Sequence, residues 1–230
     1  MSILFKHKIN WTYAIGEIIL VVVGILIALQ IDNWNEGLKK SRFEQSLLVD
    51  LQKDLIVDTT LLSVQINRIE NMLAAARFLT EMPPYEDSFQ YILGRLEEGV
   101  LFTPQDASFE TLKSVGMDVI RDNELRRSIL GLYRTYDFHV SIVGVSQEEF
   151  FNHVWIPFAR QYLVHQVEKD QQFENSLVPR DYNSMTTNSD YVDVLNWKLS
   201  WYGEYQMRFA IMKESAQSTI SDIKNHLASR

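Results

Sequence analysis

The sequence predicts an all-α protein: a single N-terminal transmembrane helix running into a long helical stalk, followed by an extramembrane helical bundle. Three observations carry this expectation. Residues 18–29 are apolar without a break apart from Gly24 and Ala28. Apolar residues recur at steps of mostly three, four and seven across 41–80 and again along 189–227, the period of an amphipathic helix. Strand-type alternation is hard to find anywhere. The expected organisation is a cytoplasmic stub (1–10), the transmembrane helix (11–34), the stalk (35–80) and an α-helical domain (81–230) that packs with the stalk.

The first element reads WTYAIGEIILVVVGILIALQIDNW, residues 11–34. Between Tyr13 and Ile31 only Glu17 and Gln30 are strongly polar. Nineteen residues at helical rise cover roughly 28 Å, about the hydrocarbon thickness of a bilayer. Trp11 and Tyr13 at one end and Trp34 at the other stand where amphipathic rings prefer the headgroup level, so they are the expected interfacial anchors. A cleaved signal peptide has a shorter apolar region followed by a small-residue site, whereas here Gln30-Ile31-Asp32-Asn33-Trp34 follows. A helix buried in a soluble core would carry an amphipathic stripe, and this run has none.

Lys6 and Lys8 flank one end and Lys39, Lys40 and Arg42 the other, so counting charges does not orient the helix. A ten-residue tail before a single apolar span is the plan of a signal anchor. That plan places the stub in the cytoplasm and the C-terminal domain on the exported side. Beyond residue 40 the chain holds 18 basic and 27 acidic residues. Such an exterior argues against nucleic acid, which needs a basic face to neutralise phosphates, and against lying flat on anionic lipid. The absence of cysteine removes disulfides, thiolate chemistry and cysteine-based zinc sites.

Ala14, Glu17, Val21, Gly24, Ala28 and Ile31 follow a 3,4,3,4,3 spacing and share one stripe of the membrane helix. The stripe gathers small residues, with Gly24 and Ala28 a small-xxx-small pair, and leaves bulky side chains for lipid. It is the expected oligomer seam; an anchor with incidental small residues is the plainer alternative. Glu17 lies roughly 9 Å below Trp11 along the axis. A carboxylate there either points into an oligomer interior and meets a partner, or reaches up to headgroups and water.

The stalk continues through Phe43, Leu47, Leu51, Leu55, Leu62, Ile66, Ile69 and Leu73, with Asp50, Lys53, Asp54, Asp58, Arg68 and Glu70 at polar positions. Gly37 is a bend point, and Met82-Pro83-Pro84 ends the helix because proline removes a donor and restricts the residue before it. A short helix is expected over 87–98 with Phe89, Ile92, Leu93 and Leu96 inward, closed by Gly99. A compact helix follows, capped by Asp106 or Ser108 and ended by Gly116. Asp122 or Asn123 caps a further helix expected to run to about Val167, kinked at Gly144 and Pro157. Residues 168–187 read as a surface connection, and the last helix covers about 189–227.

Tyr13-Ala-Ile-Gly-Glu-Ile-Ile-Leu through Asp32-Asn-Trp-Asn-Glu36 resembles the opening of an uncharacterised family of single-pass membrane proteins from Bacteroidota, whose members begin YAIGEIxLVxxGILIALxxNxWNE. Asp32 stands where that pattern more often has Asn. A looser resemblance covers Ser108 to Gly116, Ile120 to Arg126 and Leu132-Tyr133. The resemblance implies membrane location and an envelope role, which with the anchor plan puts the helix in a bacterial inner membrane and the C-terminal domain in the periplasm, and it carries over no catalytic residue.

Chemistry-bearing motifs are sparse. Glu149 and His153 share a helix face with His165 further on, which supplies two ligands where a metal needs three or four. No glycine-rich phosphate loop, G-x-S-x-G elbow or H-E-x-x-H motif occurs. No catalytic, cofactor-binding or metal residue is therefore expected. Aromatic residues concentrate on two helices expected to face each other, with Trp155, Phe158, Trp197 and Trp201 at the centre. They either fill a helical core or subunit interface, or line a pocket for a small ligand. The expected function is a non-enzymatic, homo-oligomeric inner-membrane protein presenting an exported helical domain for envelope assembly or binding of another envelope protein, its partners being the bilayer and its own copies. The alternative is a ligand-sensing or regulatory module acting with another membrane protein.

Overall fold

A computed structural model describes residues 11–86, 89–166 and 176–229; the side chains at 11–14, 166 and 176 lie outside that description. The expected stub, residues 1–10, also lies outside the described residues. The chain is mostly helical. It contains α1 (Trp11–Thr80), α2 (Phe89–Arg95), α3 (Ala107–Val115), α4 (Asn123–Phe150), α5 (Ile156–Tyr162), α6 (Tyr182–Thr186) and α7 (Ser189–Ala228). A two-stranded antiparallel sheet, β1 (Leu163–Gln166) and β2 (Ser176–Pro179), interrupts the helices. The chain divides into two compact units, Met1–Leu48 and Val49–Arg230.

In the first unit α1 includes Gly37 in helical conformation rather than at a break. Residues 15–34 are all exposed within the chain. This stretch is long and apolar enough to cross a membrane, and none of its apolar window is buried.

In the second unit α1 turns Leu51, Leu55, Leu62, Ile69, Met72, Ala76 and Leu79 into the core. Its C-terminal end is finished by other elements. Met82 takes the left-handed conformation (φ 49°) that closes many helices, followed by the two prolines. The last carbonyls of a helix lack intrahelical partners. Here the Leu79 carbonyl accepts from the Tyr191 hydroxyl at 2.9 Å, and the Tyr182 hydroxyl donates to the Pro83 carbonyl.

The α3 N-terminus corrects one local expectation. Asp106 occupies the capping position but its side chain caps nothing. The donors there are taken by α1 instead: Asp58 Oδ1 accepts from the Gln105 amide at 2.8 Å, and Asp54 Oδ2 from Ser108 at 3.2 Å. Gly116, at φ 95°, ends α3 in a conformation that side chains resist. Asp122 caps α4 as expected, accepting from Glu124 and Leu125.

The helix that Asp122 caps stops short of Val167. After Phe150 the chain makes a π-helical turn, Phe151–Trp155, then α5 with Pro157 in its first turn. Proline has no amide hydrogen and crowds the preceding turn, and a widened turn relieves both. The chain then leaves the helix for β1, whose register pairs Leu163 with Pro179 and His165 with Leu177. Leu163 and Leu177 are buried, so the segment expected to be surface connection supplies part of the core. The sequence masks this hairpin because four-residue strands offer too few alternations to register.

α7 packs on α4, and its Tyr191 and Gln206 also reach α1 at Leu79 and Glu70. Ser128 donates to Asp222 at 2.7 Å across that pair. One end of the core gathers Leu93, Phe150, Trp155, Phe158, Tyr191 and Leu195. Elsewhere Phe109 stacks on Tyr133 (3.7 Å, 3°) and Phe102 meets Tyr136 and Phe209 edge-on.

Candidate functional site

Two regions hold features that the fold alone does not require. The first is the exposed surface of α1. Glu17, Val21, Gly24 and Ala28 are all exposed, and a side chain built at Gly24 would meet nothing within 4 Å. No intramolecular contact asks for glycine there. Trp34 is 69% exposed. Ala14, Trp11 and Tyr13 lie on α1, but their side chains fall outside the described residues.

The second region surrounds Lys198. The buried stripe of α7 runs Tyr191, Leu195, Lys198, Tyr202, Tyr205, Phe209 and Met212, so a lysine occupies a core step. It is 6% exposed. Its Nζ donates to the Tyr202 hydroxyl at 2.9 Å, and that hydroxyl donates to the Glu98 carbonyl at 3.2 Å. The ammonium also lies 4.3 Å from the Phe150 ring centre, 4.7 Å from Tyr202 and 5.8 Å from Trp155, within reach of cation–π attraction. Aromatic faces replace only part of the lost hydration. Burial pushes Lys198 down from 10.5 to about 7, and the Glu97 charge holds it from falling further. The same burial pushes the Tyr202 phenol up, so it stays protonated.

Lys198 lines a cleft of about 310 Å³ together with Glu97, Glu98, Gly144, Gln147, Glu148, Phe150 and Phe151. Gln147 closes one side by accepting from the Val100 amide at 2.8 Å, and a side chain at Gly99 would strike it at 2.9 Å. A neighbouring cleft of about 440 Å³ shares Glu97 and Phe151 and is walled by Trp155, Leu163, Leu177 and Arg180. Glu97 stands between them, with Oε1 3.4 Å from His165 Nε2 on β1 and Oε2 buried without a partner among the described residues.

The four aromatics singled out from the sequence fall into two pairs. Trp155 and Phe158 are buried, with ring centres 6.0 Å apart. Trp197 is half exposed and meets the partly buried Trp201 edge-on at 5.9 Å. His153 pairs with Glu149 on the exposed surface at 3.6 Å. Among the described residues no three acidic or histidine side chains converge as for a metal.

Lys198, Glu97 and Asp58 were not legible as site residues. Asp58 reads as a polar stalk position but is fully buried, where burial pushes its carboxyl from 3.8 to about 6. The Tyr136 hydroxyl lies alongside and lowers that value, although neither it nor Asp58 Oδ2 reaches full hydrogen-bond geometry with a partner among the described residues. The signal available for both was positional: Asp58 continues the Leu51, Leu55, Leu62 stripe, and Lys198 continues that of Leu195 and Tyr202.

No curated protein and no solved structure matches the chain. A family model does match, over residues 17–175, which takes in the apolar stretch of α1 from Glu17 onward, Glu97 and the π-helical turn. The chain therefore belongs to the family described as Family of unknown function (DUF6090).

Proposed function

We propose that this chain is a non-enzymatic, single-pass protein of a bacterial inner membrane. It homo-oligomerises through the α1 stripe Ala14, Glu17, Val21, Gly24 and Ala28, and it presents a periplasmic helical domain for envelope assembly or partner binding. The observation that carries the reading is the apolar stretch of α1, exposed along its whole length within the chain. Water is a poor solvent for such a surface, and a bilayer is a good one. Glycine at 24, with open space around it, suits the close approach of a second backbone. The acidic remainder keeps the domain off anionic lipid and off nucleic acid.

The test is the mass of the detergent-extracted complex, compared with the same chain started at Ser41. An oligomer that dissociates on truncation supports the reading; monomers in both preparations overturn it. A second reading, a ligand-responsive module acting with another membrane protein, draws on the two clefts that meet at Glu97. A full-length chain that is monomeric in detergent would favour this second reading over the first.

A further inference from the structure

We propose that Lys198 is a nucleophilic amine that forms Schiff bases with uncharged aromatic aldehydes entering the cleft between α4 and the residues after α2. The amine is held rather than mobile: Tyr202 accepts one of its hydrogens at 2.9 Å, and Phe150, Trp155 and Tyr202 box it on three sides. It borders an opening of about 310 Å³, within the usual size of small-molecule sites. The lining selects the ligand class. Glu97, Glu98 and Glu148 face the opening and repel anions, with Glu98 partly neutralised by Arg68 at 2.9 Å. Phe150 and Phe151 offer flat apolar walls suited to an aryl ring. Desolvation keeps much of the amine uncharged near neutral pH, as in lysines that act as nucleophiles.

In the step itself, the Nζ lone pair attacks the carbonyl carbon and the C=O π pair moves to oxygen, which takes one amine hydrogen. The resulting carbinolamine then loses its oxygen as water with the second amine hydrogen, and a C=N bond to Nζ remains. No oxidant or reductant is needed. The Tyr202 hydroxyl, protonated and fixed between Lys198 and the Glu98 carbonyl, orients the amine.

The experiment treats the full chain in detergent micelles with benzaldehyde and cyanoborohydride, a hydride donor that reduces the C=N bond to a stable secondary amine. Peptide mass mapping then reads benzylation at Lys198 against the exposed Lys224 across pH 6–9. At pH 7.5 an amine titrating near 7 is mostly uncharged while an ordinary lysine is almost wholly protonated; after discounting its lower basicity, Lys198 should react about tenfold faster. Its rate should be half-maximal near pH 7, and the preference should vanish in chain unfolded with detergent. Gly144→Leu is the test variant, because a side chain there meets open space and would extend into the cleft without disturbing the helix. Labelling of Lys198 should fall several-fold in it. Reaction at Lys198 no faster than at Lys224, a rate that only climbs towards pH 9, or labelling indifferent to Gly144→Leu would each overturn the proposal. None of these outcomes depends on whether the chain oligomerises.

Discussion

Replacing Lys198 by Met gives a sharp test of the buried amine, because methionine keeps the unbranched stem and removes the charge. In the unfolded chain the lysine holds its proton until pH 10.5; in the folded chain it lets go near 7. Above pH 7 the unfolded state therefore binds more protons, and folding stability rises with pH. Below pH 6 the full charge is buried, at a cost of about 5 kcal/mol relative to the neutral amine, taking 1.36 kcal/mol per pKa unit. Between pH 6 and 9 most of that cost is relieved, so wild type should gain about 3 kcal/mol on the variant over this range. Urea unfolding of both proteins in micelles, followed by far-ultraviolet circular dichroism, measures it. Glu97→Gln should move the midpoint of the gain to lower pH, since the carboxylate supports the charged form. A wild-type-minus-variant difference that stays flat from pH 6 to 9 would refute the assignment.

Three further outcomes are expected. Asp58→Asn should remove a pH dependence of opposite sign: the folded carboxyl holds its proton to about pH 6 and the unfolded one only to about 4, so wild-type stability falls as pH rises through that window while the variant's does not, which thermal melts at pH 4–7 would register. Gly24→Leu should shift the detergent complex toward monomer in light scattering while leaving the circular dichroism of the helices unchanged; an unaltered mass would take Gly24 out of the interface. Tyr191→Phe should cost about 1 kcal/mol by removing one of the two donors to the buried Leu79 carbonyl, which keeps only the Met82 amide at 3.2 Å, and a chemical-denaturation midpoint equal to wild type would contradict the hydrogen bond.

The helices were legible because their signals are long or chemically sharp. The apolar run of α1, the double proline after it, the Asp122 cap, Gly116 and the 40-residue pattern of α7 each state a boundary in local terms. What escaped was decided by distant partners. Asp106 looks like a cap, yet carboxylates some fifty residues earlier, Asp54 and Asp58, take the amides before and within the first turn of α3. The β1–β2 hairpin is two short strands flanking residues rich in polar side chains, and its buried Leu163 and Leu177 have no periodic context. Lys198 carries no apolar signal of its own and stands beside Trp197, an aromatic that is half exposed while the lysine is buried. In a helix stripe a charged residue at a core step is the one most worth asking about, since only a specific environment keeps it there.

The finishing of α1 by tyrosine hydroxyls has a consequence for biosynthesis. The groups that satisfy its final turn and the proline just after it are separated from them by 112 and 99 residues. While the chain emerges from the ribosome, these two carbonyls lack their tyrosine donors until nearly the whole polypeptide exists, Leu79 keeping only its local bond from the Met82 amide. Premature termination before Tyr182 would thus release a product in which neither tyrosine hydroxyl reaches the end of its longest helix.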